Sequence, residues 1–200
     1  MDLIIVGANK LGEYIAKNYS QFGLRHKILG FVDESVSLKG KKVAGYPVLG
    51  QPEVVLCGQK VAVVIALASI YEKSGMIKKL ASIKNLEYPN LISLGSWISR
   101  DCIFGKGNII LEGSLINFGT MVGNFNFFGE KCSIGHESVI GDCCYLENEV
   151  NIGGYSILEG MVSMKKGSGI NQGIRVGKES TIEKYAEIKE DLLPHSLVKK

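Results

Sequence analysis

Histidine is scarce in this chain: His26, His136 and His195 are the three in 200 residues. A catalytic zinc held by three imidazoles would need all of them at one place, and they lie far apart in sequence, so no metal is expected. The five cysteines form no Cys-x-x-Cys pair, which removes the usual zinc and dithiol motifs. The longest apolar runs, Val61–Ala68 and Leu3–Val6, are too short to span a bilayer. Met1 leads straight into a candidate strand instead of a signal peptide, so the expected location is cytoplasmic, with no membrane partner. A net charge of +3, with no basic stripe carrying interleaved aromatics, argues against nucleic acid. What is present, 46% hydrophobic and 22% charged residues, describes a folded chain with one or two cores.

The second half carries a period of six. An aliphatic residue, Met or Phe recurs without a gap from Ile92, Ile98, Phe104 and Ile110 through Ile134, Ile140 and Ile152 to Ile182 and Ile188. Two positions before most of these stands a short side chain, such as Cys102, Asn108, Ser114, Thr120, Cys132, Ser138, Cys144 or Ser156, with Ile174 the bulky exception. Glycine follows the apolar residue at Gly105, Gly123, Gly129, Gly135, Gly141, Gly153 and Gly177. No helix or ordinary strand has this period; it is the hexapeptide repeat of a parallel β-helix. Each hexad is a short strand and a turn, three hexads close a triangular coil, and stacked coils bury one apolar column. The repeat predicts a β-helix domain over 89–191 and a C-terminal tail over 192–200 that breaks at Pro194 and runs back over the last coil as a cap. Cys102, Cys132 and Cys144 occupy inward positions, so burial accounts for them.

The first part, 1–88, reads as a small α/β domain. Leu3–Val6, Ile28–Val32 and Val61–Ala66 have the composition of buried parallel strands; Leu11–Phe22 and Ser69–Ile83 have helical spacing. Gly45-Tyr46-Pro47-Val48-Leu49-Gly50 reads as a turn-rich connector. The first strand ends in Gly7-Ala8-Asn9-Lys10-Leu11-Gly12, similar to a glycine loop whose backbone N–H groups receive a phosphate at a helix N-terminus. Asn9 replaces the central glycine of the dinucleotide fingerprint. The second strand ends at Asp33-Glu34, where a carboxylate can accept from a ribose or a base. Gly7, Asn9, Gly12, Asp33 and Glu34 are therefore candidate nucleotide contacts; plain turn chemistry is the alternative for each.

His136 differs from the other two histidines. It follows Ile134-Gly135 at a coil corner and precedes Glu137, and an imidazole beside a carboxylate is a candidate general base. The alternative is an idle surface histidine. At about eighteen residues per coil, Gly154 falls in the same corner one coil later, about 4.8 Å along the axis. Its backbone N–H would suit an oxyanion donor beside a base. Phe118, one coil earlier, floors a cleft or fills an interface between prisms, the interface being preferred. Phe125 and Phe127 are expected at a subunit contact.

Gly7-Ala8 with Gly12, Gly30-Phe31-Val32-Asp33-Glu34, Gly45-Tyr46-Pro47-Val48-Leu49-Gly50 and His136-Glu137-Ser138-Val139-Ile140-Gly141-Asp142 together resemble the sialic acid O-acetyltransferase and UDP-amino-sugar N-acetyltransferase family over nearly the whole chain. The resemblance implies a left-handed β-helix that forms a homotrimer behind a nucleotide-sugar-binding domain, with acetyl-CoA as acyl donor, in bacterial surface-glycan biosynthesis. It implies His136 as the base, Glu137 as the acid that orients it and Gly154 as the amide facing the thioester. Coenzyme A phosphates would lie near some of Lys165, Lys166, Arg175, Lys178 and Lys184. The chain departs from the family at Lys10-Leu11-Gly12, at Gly129 where asparagine is common, at the corner residues Glu147, Glu159, Lys165, Glu183 and Lys189, and in lacking the C-terminal proline-alanine-lysine motif. The implied activity is N-acetylation of a nucleotide-linked amino sugar. O-acetylation of sialic acid or a related sugar, and a non-catalytic nucleotide-sugar-binding protein, remain as alternatives.

Overall fold

The computed structural model describes residues 1–199. The chain divides into two compact units, Met1–Pro89 and Asn90–Lys200.

The first unit is built on one sheet. Its elements are β1 (Asp2–Val6), α1 (Lys10–Lys17), β2 (Lys27–Val32), β3 (Lys42–Val43), β4 (Tyr46–Gly50), α2 (Pro52–Leu56), β5 (Val61–Ile65), α3 (Ile70–Leu80) and β6 (Leu86–Glu87). The strand order is β3-β4-β2-β1-β5-β6. All neighbours are parallel except the β3/β4 hairpin. The central strands β1 and β5 are buried almost throughout, which is why Leu3–Val6 and Val61–Ile65 are unbroken apolar runs without alternation.

Two details depart from the sequence expectation. The segment 45–50 is a strand: Phe31 pairs with Val48 and Val32 with Gly50, so the connector is part of the sheet. Pro47 fits because its missing N–H falls in a short hairpin with β3, where it faces Lys42. The first helix stops at Lys17, because the Asn18 side chain donates to the Tyr14 carbonyl at 2.9 Å and competes for the helical acceptor. A single 3-10 turn, Tyr19–Phe22, follows and closes at Gly23 in the left-handed region. Helix α3 begins where Ser69 accepts from the Glu72 N–H at 3.3 Å.

The second unit is a stack of two-residue strands in three parallel sheets, the arrangement of a left-handed β-helix. One face runs from Leu91–Ile92 to Thr181–Ile182, the second from Trp97–Ile98 to Glu187–Ile188, and the third from Ile103–Phe104 to Arg175–Val176. Each strand pairs with the one eighteen positions on, for example Ile116 with Ile134 and Ile134 with Ile152. The hexad apolar residues form a continuous buried column from Ile110 to Ile188. The short inward residues also form the hydrogen bonds that hold the corners. Ser114 donates to the Gly129 carbonyl at 2.8 Å, Thr120 to Gly135 at 3.1 Å and Ser138 to Gly153 at 3.2 Å. A buried asparagine ladder does the same elsewhere: Asn90 Oδ1 accepts from Asn108 N–H, Asn108 Oδ1 from Asn126 N–H, and Asn126 Oδ1 from Cys144 N–H.

The tail does not turn back. Leu192 bridges to Val176, and Leu197–Val198 pairs in parallel with Thr181–Ile182, so the coil continues to Val198 with a spacing of 16 instead of eighteen. The Pro194 nitrogen lies only 2.3 Å from where a Cβ on Gly177 would be, so proline packs flat on a bare corner and takes the place of a hexad turn. Phe125 and Phe127 are also corrected. They are 7% and 4% exposed in the isolated chain, and Phe127 stacks on Tyr145 at 4.5 Å, so neither is left over for a second subunit. No helix among the described residues is long and apolar enough to cross a membrane.

Candidate active site

The corner that follows the second face carries His136. The two hydroxyls that donate to Gly135 and Gly153 fix the carbonyls just before His136 and Gly154, so the inward side chains of the repeat set the height of both. The imidazole lies between two coils. The Phe118 ring stacks on one face, with centroids 5.0 Å apart and planes at 8°. On the other face is Gly154, where a Cβ would meet Nε2 at 2.9 Å, Cδ2 at 3.0 Å and Cε1 at 3.1 Å. Only glycine leaves the ring in this place. Phe118 thus floors the imidazole, and at 49% exposure its outer side stays open for the interface expected of it.

Nδ1 faces the Glu137 carboxylate at 3.3 Å, which leaves Nε2 as the ring nitrogen with no hydrogen-bond partner among the described residues. Tyr155 stands edge-on to the imidazole at 4.8 Å and 85°. The neighbouring Tyr155 hydroxyl and then His136 hold the Glu137 carboxyl below the usual range, and the carboxylate in turn pushes the phenol up. Sequence reasoning missed Tyr155. It lies one position past Gly154, and the left-handed turn at this corner places residue 155 over residue 137.

The Gly154 turn amide lacks the side-chain acceptor that some other corners supply. At other corners an acidic or amide side chain accepts from the turn N–H: Asp142 from Asn124 at 2.7 Å, Asn148 from Glu130 at 3.1 Å, Glu159 from Lys178 at 3.1 Å. Glu147 does this for Lys166 at 2.9 Å, which accounts for acids at corners where small residues were expected. The Gly153 and Tyr155 amides donate to Ile170 and His136. The N–H of Gly154 between them finds no acceptor among the described residues, though the residue is buried. A buried donor without an acceptor beside the free nitrogen of an imidazole can stabilise an oxygen that gains negative charge.

In the first unit, Gly7, Asn9, Asp33 and Glu34 line one cleft of about 470 Å³, with Leu67 and Glu72. Their roles differ from those expected of a phosphate loop. Gly7 N–H donates to Val32 at 2.9 Å, Ala8 N–H to Asp33 at 2.8 Å and Gly12 N–H to Asn9 at 3.0 Å, so these amides are already engaged. Asn9 caps α1 and its amide donates to Ala66 at 2.9 Å, so its side chain ties the loop to β5. Asp33 braces the loop, with its second oxygen accepting from Ser35 N–H at 2.9 Å. Gly12 does not line the cleft. It allows the helix to press on the loop, since a Cβ would lie 2.1 Å from the Gly7 carbonyl oxygen. Glu34 pairs with Lys79, whose ammonium it holds above its ordinary pKa; Glu53 lies 3.8 Å from the same ammonium.

Four of the five basic residues suggested for coenzyme A, Lys165, Lys166, Arg175 and Lys178, are spread over different corners and faces. Lys165 and Lys166 follow the first face and pair with Glu147 and Glu149 at 3.3 and 3.4 Å. Arg175 lies on the third face and pairs with Glu159 at 2.8 Å; Lys178 lies at the corner after it, 3.6 Å from Glu179. None shares the corner of His136. Spacing by threes along the hexads would have separated them, because residues six apart sit on different faces.

No protein-family model matches the sequence, and no curated protein matches it. Solved structures do match in fold. GDP-perosamine N-acetyltransferase from Caulobacter crescentus (PerB), crystallised with CoA and GDP-perosamine, superimposes with a TM-score of 0.88 at 17% identity, covering 98% of this chain and 93% of that one. The acetyltransferase domain of PglB from Neisseria gonorrhoeae, in complex with acetyl coenzyme A, gives 0.71 at 17% identity over 94% of this chain and 92% of that one. WeeI from Acinetobacter baumannii gives 0.59 at 18% identity, covering 94% of each chain. At these identities the likeness establishes the shared architecture, an α/β unit followed by a parallel β-helix.

Proposed function

We propose that the protein transfers an acetyl group from acetyl-CoA to the amine of a nucleotide-linked amino sugar, in the making of a bacterial surface glycan. The observation that carries this reading is the corner at which a free imidazole nitrogen and an unpaired amide lie together: His136 Nε2 and Gly154 N–H. The likeness in fold to enzymes crystallised with CoA, acetyl coenzyme A and GDP-perosamine supports it.

His136 Nε2 accepts the proton that the attacking amine loses. Glu137 receives the Nδ1–H, fixes the tautomer and stabilises the imidazolium that forms. Gly154 N–H donates to the thioester carbonyl oxygen as that oxygen gains charge. The bare Cα of Gly154 leaves room for the thioester to approach. Coenzyme A brings an acyl group that is already activated, so the chain needs no nucleophile of its own. Lys165, Lys166, Arg175 and Lys178 would each exchange a surface carboxylate for a phosphate, at little cost because exposed ion pairs contribute little.

In the α/β cleft, Glu34 and Glu72 supply acceptors for ribose hydroxyls and base N–H groups, over a loop braced by Asp33. The homotrimer belongs to the same proposal. Trp97, Ile103, Leu115, Met121 and Val139 are exposed apolar residues on the two faces that meet at the His136 corner, and a second copy would cover them. The test is thiol release from acetyl-CoA with a panel of UDP-, GDP-, dTDP- and CMP-sugars, with and without the amino group. Release that requires the amino group supports the reading. Release with hydroxyl acceptors alone assigns O-acetylation, and silence across the panel with nucleotide-sugar binding intact assigns a binding protein.

A further inference from the structure

We propose that Arg100 binds the phosphate joined to the sugar of the acceptor and holds it one sugar ring away from His136. The assignment rests on reading His136 as the base of an acetyl transfer to a nucleotide-linked sugar.

The residues that follow the second face stack in register, because Trp97–Ile98 pairs with Leu115–Ile116 and that strand with Ser133–Ile134. Ser99 N–H donates to the Ile116 carbonyl and Asn117 N–H to that of Ile134, each at 3.0 Å, which carries the register into the corner. One column of the corner therefore reads Arg100, Phe118, His136, Gly154, Gln172, Glu190. Arg100 stands two coils before the imidazole, about 10 Å along the axis at about 4.8 Å per coil.

Arg100 is exposed, and its guanidinium has no carboxylate partner among the described residues. The acid next to it in sequence is already engaged: Asp101 accepts from the Ser99 hydroxyl at 2.6 Å with one oxygen and from Gly119 N–H at 3.0 Å with the other. The other arginine of this unit, Arg175, pairs with Glu159 at 2.8 Å. Beyond His136 the column continues as Gly154 and Gln172, and the next cation of the corner, Lys189, comes three coils after Gly135 with Glu187 at 3.8 Å. A cation free to take an anion therefore stands on the N-terminal side of the base.

The length of the ligand decides which anion it takes. In a sugar phosphate, an amine across the ring is about six single bonds from phosphorus, roughly 7 Å when extended. The hydrogen bond from that amine to the base adds about 3 Å, which brings the phosphate level with Arg100. In coenzyme A about thirteen bonds separate sulfur from the first phosphorus, roughly 16 Å, so an extended cofactor overshoots this position. Phe118, between cation and base, is half-exposed and uncharged, and the sugar ring would cross it. A guanidinium meets two phosphate oxygens at once in a fork, which fixes distance as well as charge.

The test is calorimetric titration of the full chain with UDP-, GDP-, dTDP- and CMP-linked amino sugars, and separately with coenzyme A, for wild type, Arg100→Ala and Arg100→Lys. The side chain is exposed, so both variants should keep the fold. Arg100→Ala is expected to weaken the best-bound nucleotide sugar roughly tenfold or more and to leave coenzyme A within about twofold. Arg100→Lys should lose only about threefold, since the charge stays and the fork goes. With turnover, KM for the acceptor should rise at unchanged KM for acetyl-CoA. Unchanged nucleotide-sugar affinity in Arg100→Ala overturns the proposal. So does a loss confined to coenzyme A, which assigns the arginine to the cofactor's phosphates, and so does a wild type that binds none of the nucleotide sugars. Calorimetry needs no turnover: affinity that depends on Arg100 in a protein that transfers no acetyl group leaves the phosphate contact standing and removes the acetyltransferase reading, and turnover indifferent to Arg100 does the reverse.

Discussion

Gly154→Ala adds one carbon against the face of the His136 imidazole. The new methyl would sit 2.9 Å from Nε2 and within 3.1 Å of the two ring carbons beside it. Ordinary carbon contacts begin near 3.5 Å, so the imidazole must move by about half an ångström. It cannot move straight back, because Phe118 is already stacked there at 5.0 Å. The remaining motion is a tilt that turns Nε2 off its line and stretches the Glu137 contact. A misplacement of about 1 Å at a reacting group costs about a hundredfold, so a tilt of half that size should lower kcat between about fivefold and fiftyfold. The added methyl meets only the half-exposed imidazole, so the change should cost the fold about 1 kcal/mol. The assay is steady-state thiol release with the best acceptor of the panel, alongside thermal denaturation of both proteins. A kcat within twofold of the wild type, at unchanged Tm, would refute the claim that Gly154 is glycine in order to seat the ring.

Asn108→Ala interrupts the buried ladder and leaves the Gly123 carbonyl and the Asn126 N–H without partners, which should lower stability by about 3 kcal/mol in urea denaturation. Glu137 has its folded pKa lowered, first by Tyr155 and then by His136, so the stability it contributes is complete above the ordinary value of 4.5 and is lost as pH falls through the lower folded value. The stability difference between wild type and Glu137→Gln should accordingly be constant from pH 6 to 8, on the order of what an exposed pair supplies, and fade in acid. Burial pushes the Cys132 thiol up to about 12, so it stays protonated and inert at pH 8. Mass spectrometry after brief maleimide treatment should find label on the exposed Cys57 and none on Cys132 or Cys144 until the protein is unfolded.

The β-helix was legible because its period is set by one physical demand. Every third hexad must return an apolar side chain to the same column, and Ile116, Ile134 and Ile152 do so in register. The hexad also exposed the short inward residues, but their second task was hidden, since a serine that fills space and a serine that donates to a carbonyl fifteen positions on look alike in sequence. The tail escaped the period because two residues were lost from the coil, and Pro194 concealed a strand that pairs as the others do. In the first unit, β4 was hidden by its own turn residues: Gly45, Pro47 and Gly50 read as a loop, whereas Val48 is buried beside Phe31. His136, Glu137 and Gly154 could be placed on one corner by counting eighteens. Tyr155 could not, because its edge-on contact with the imidazole depends on the left-handed turn at 155, and nothing in a tyrosine announces φ of 58°. The glycine loop misled for a related reason. Asp33 and Asn9 take up the Ala8 and Gly12 amides, and side-chain capping of that kind has no fixed spacing.

The central claim is that His136 is the base of an acetyl transfer to a sugar amine. The most direct measurement is mass spectrometry of a nucleotide-linked amino sugar incubated with acetyl-CoA and either the wild-type protein or His136→Ala, both checked for fold and for nucleotide-sugar binding. The account predicts a product heavier by one acetyl group with the wild type, formed at least about a hundredfold more slowly by the variant. An acetylated product formed equally well without the imidazole, or none formed by a wild-type protein that binds both substrates, would contradict it.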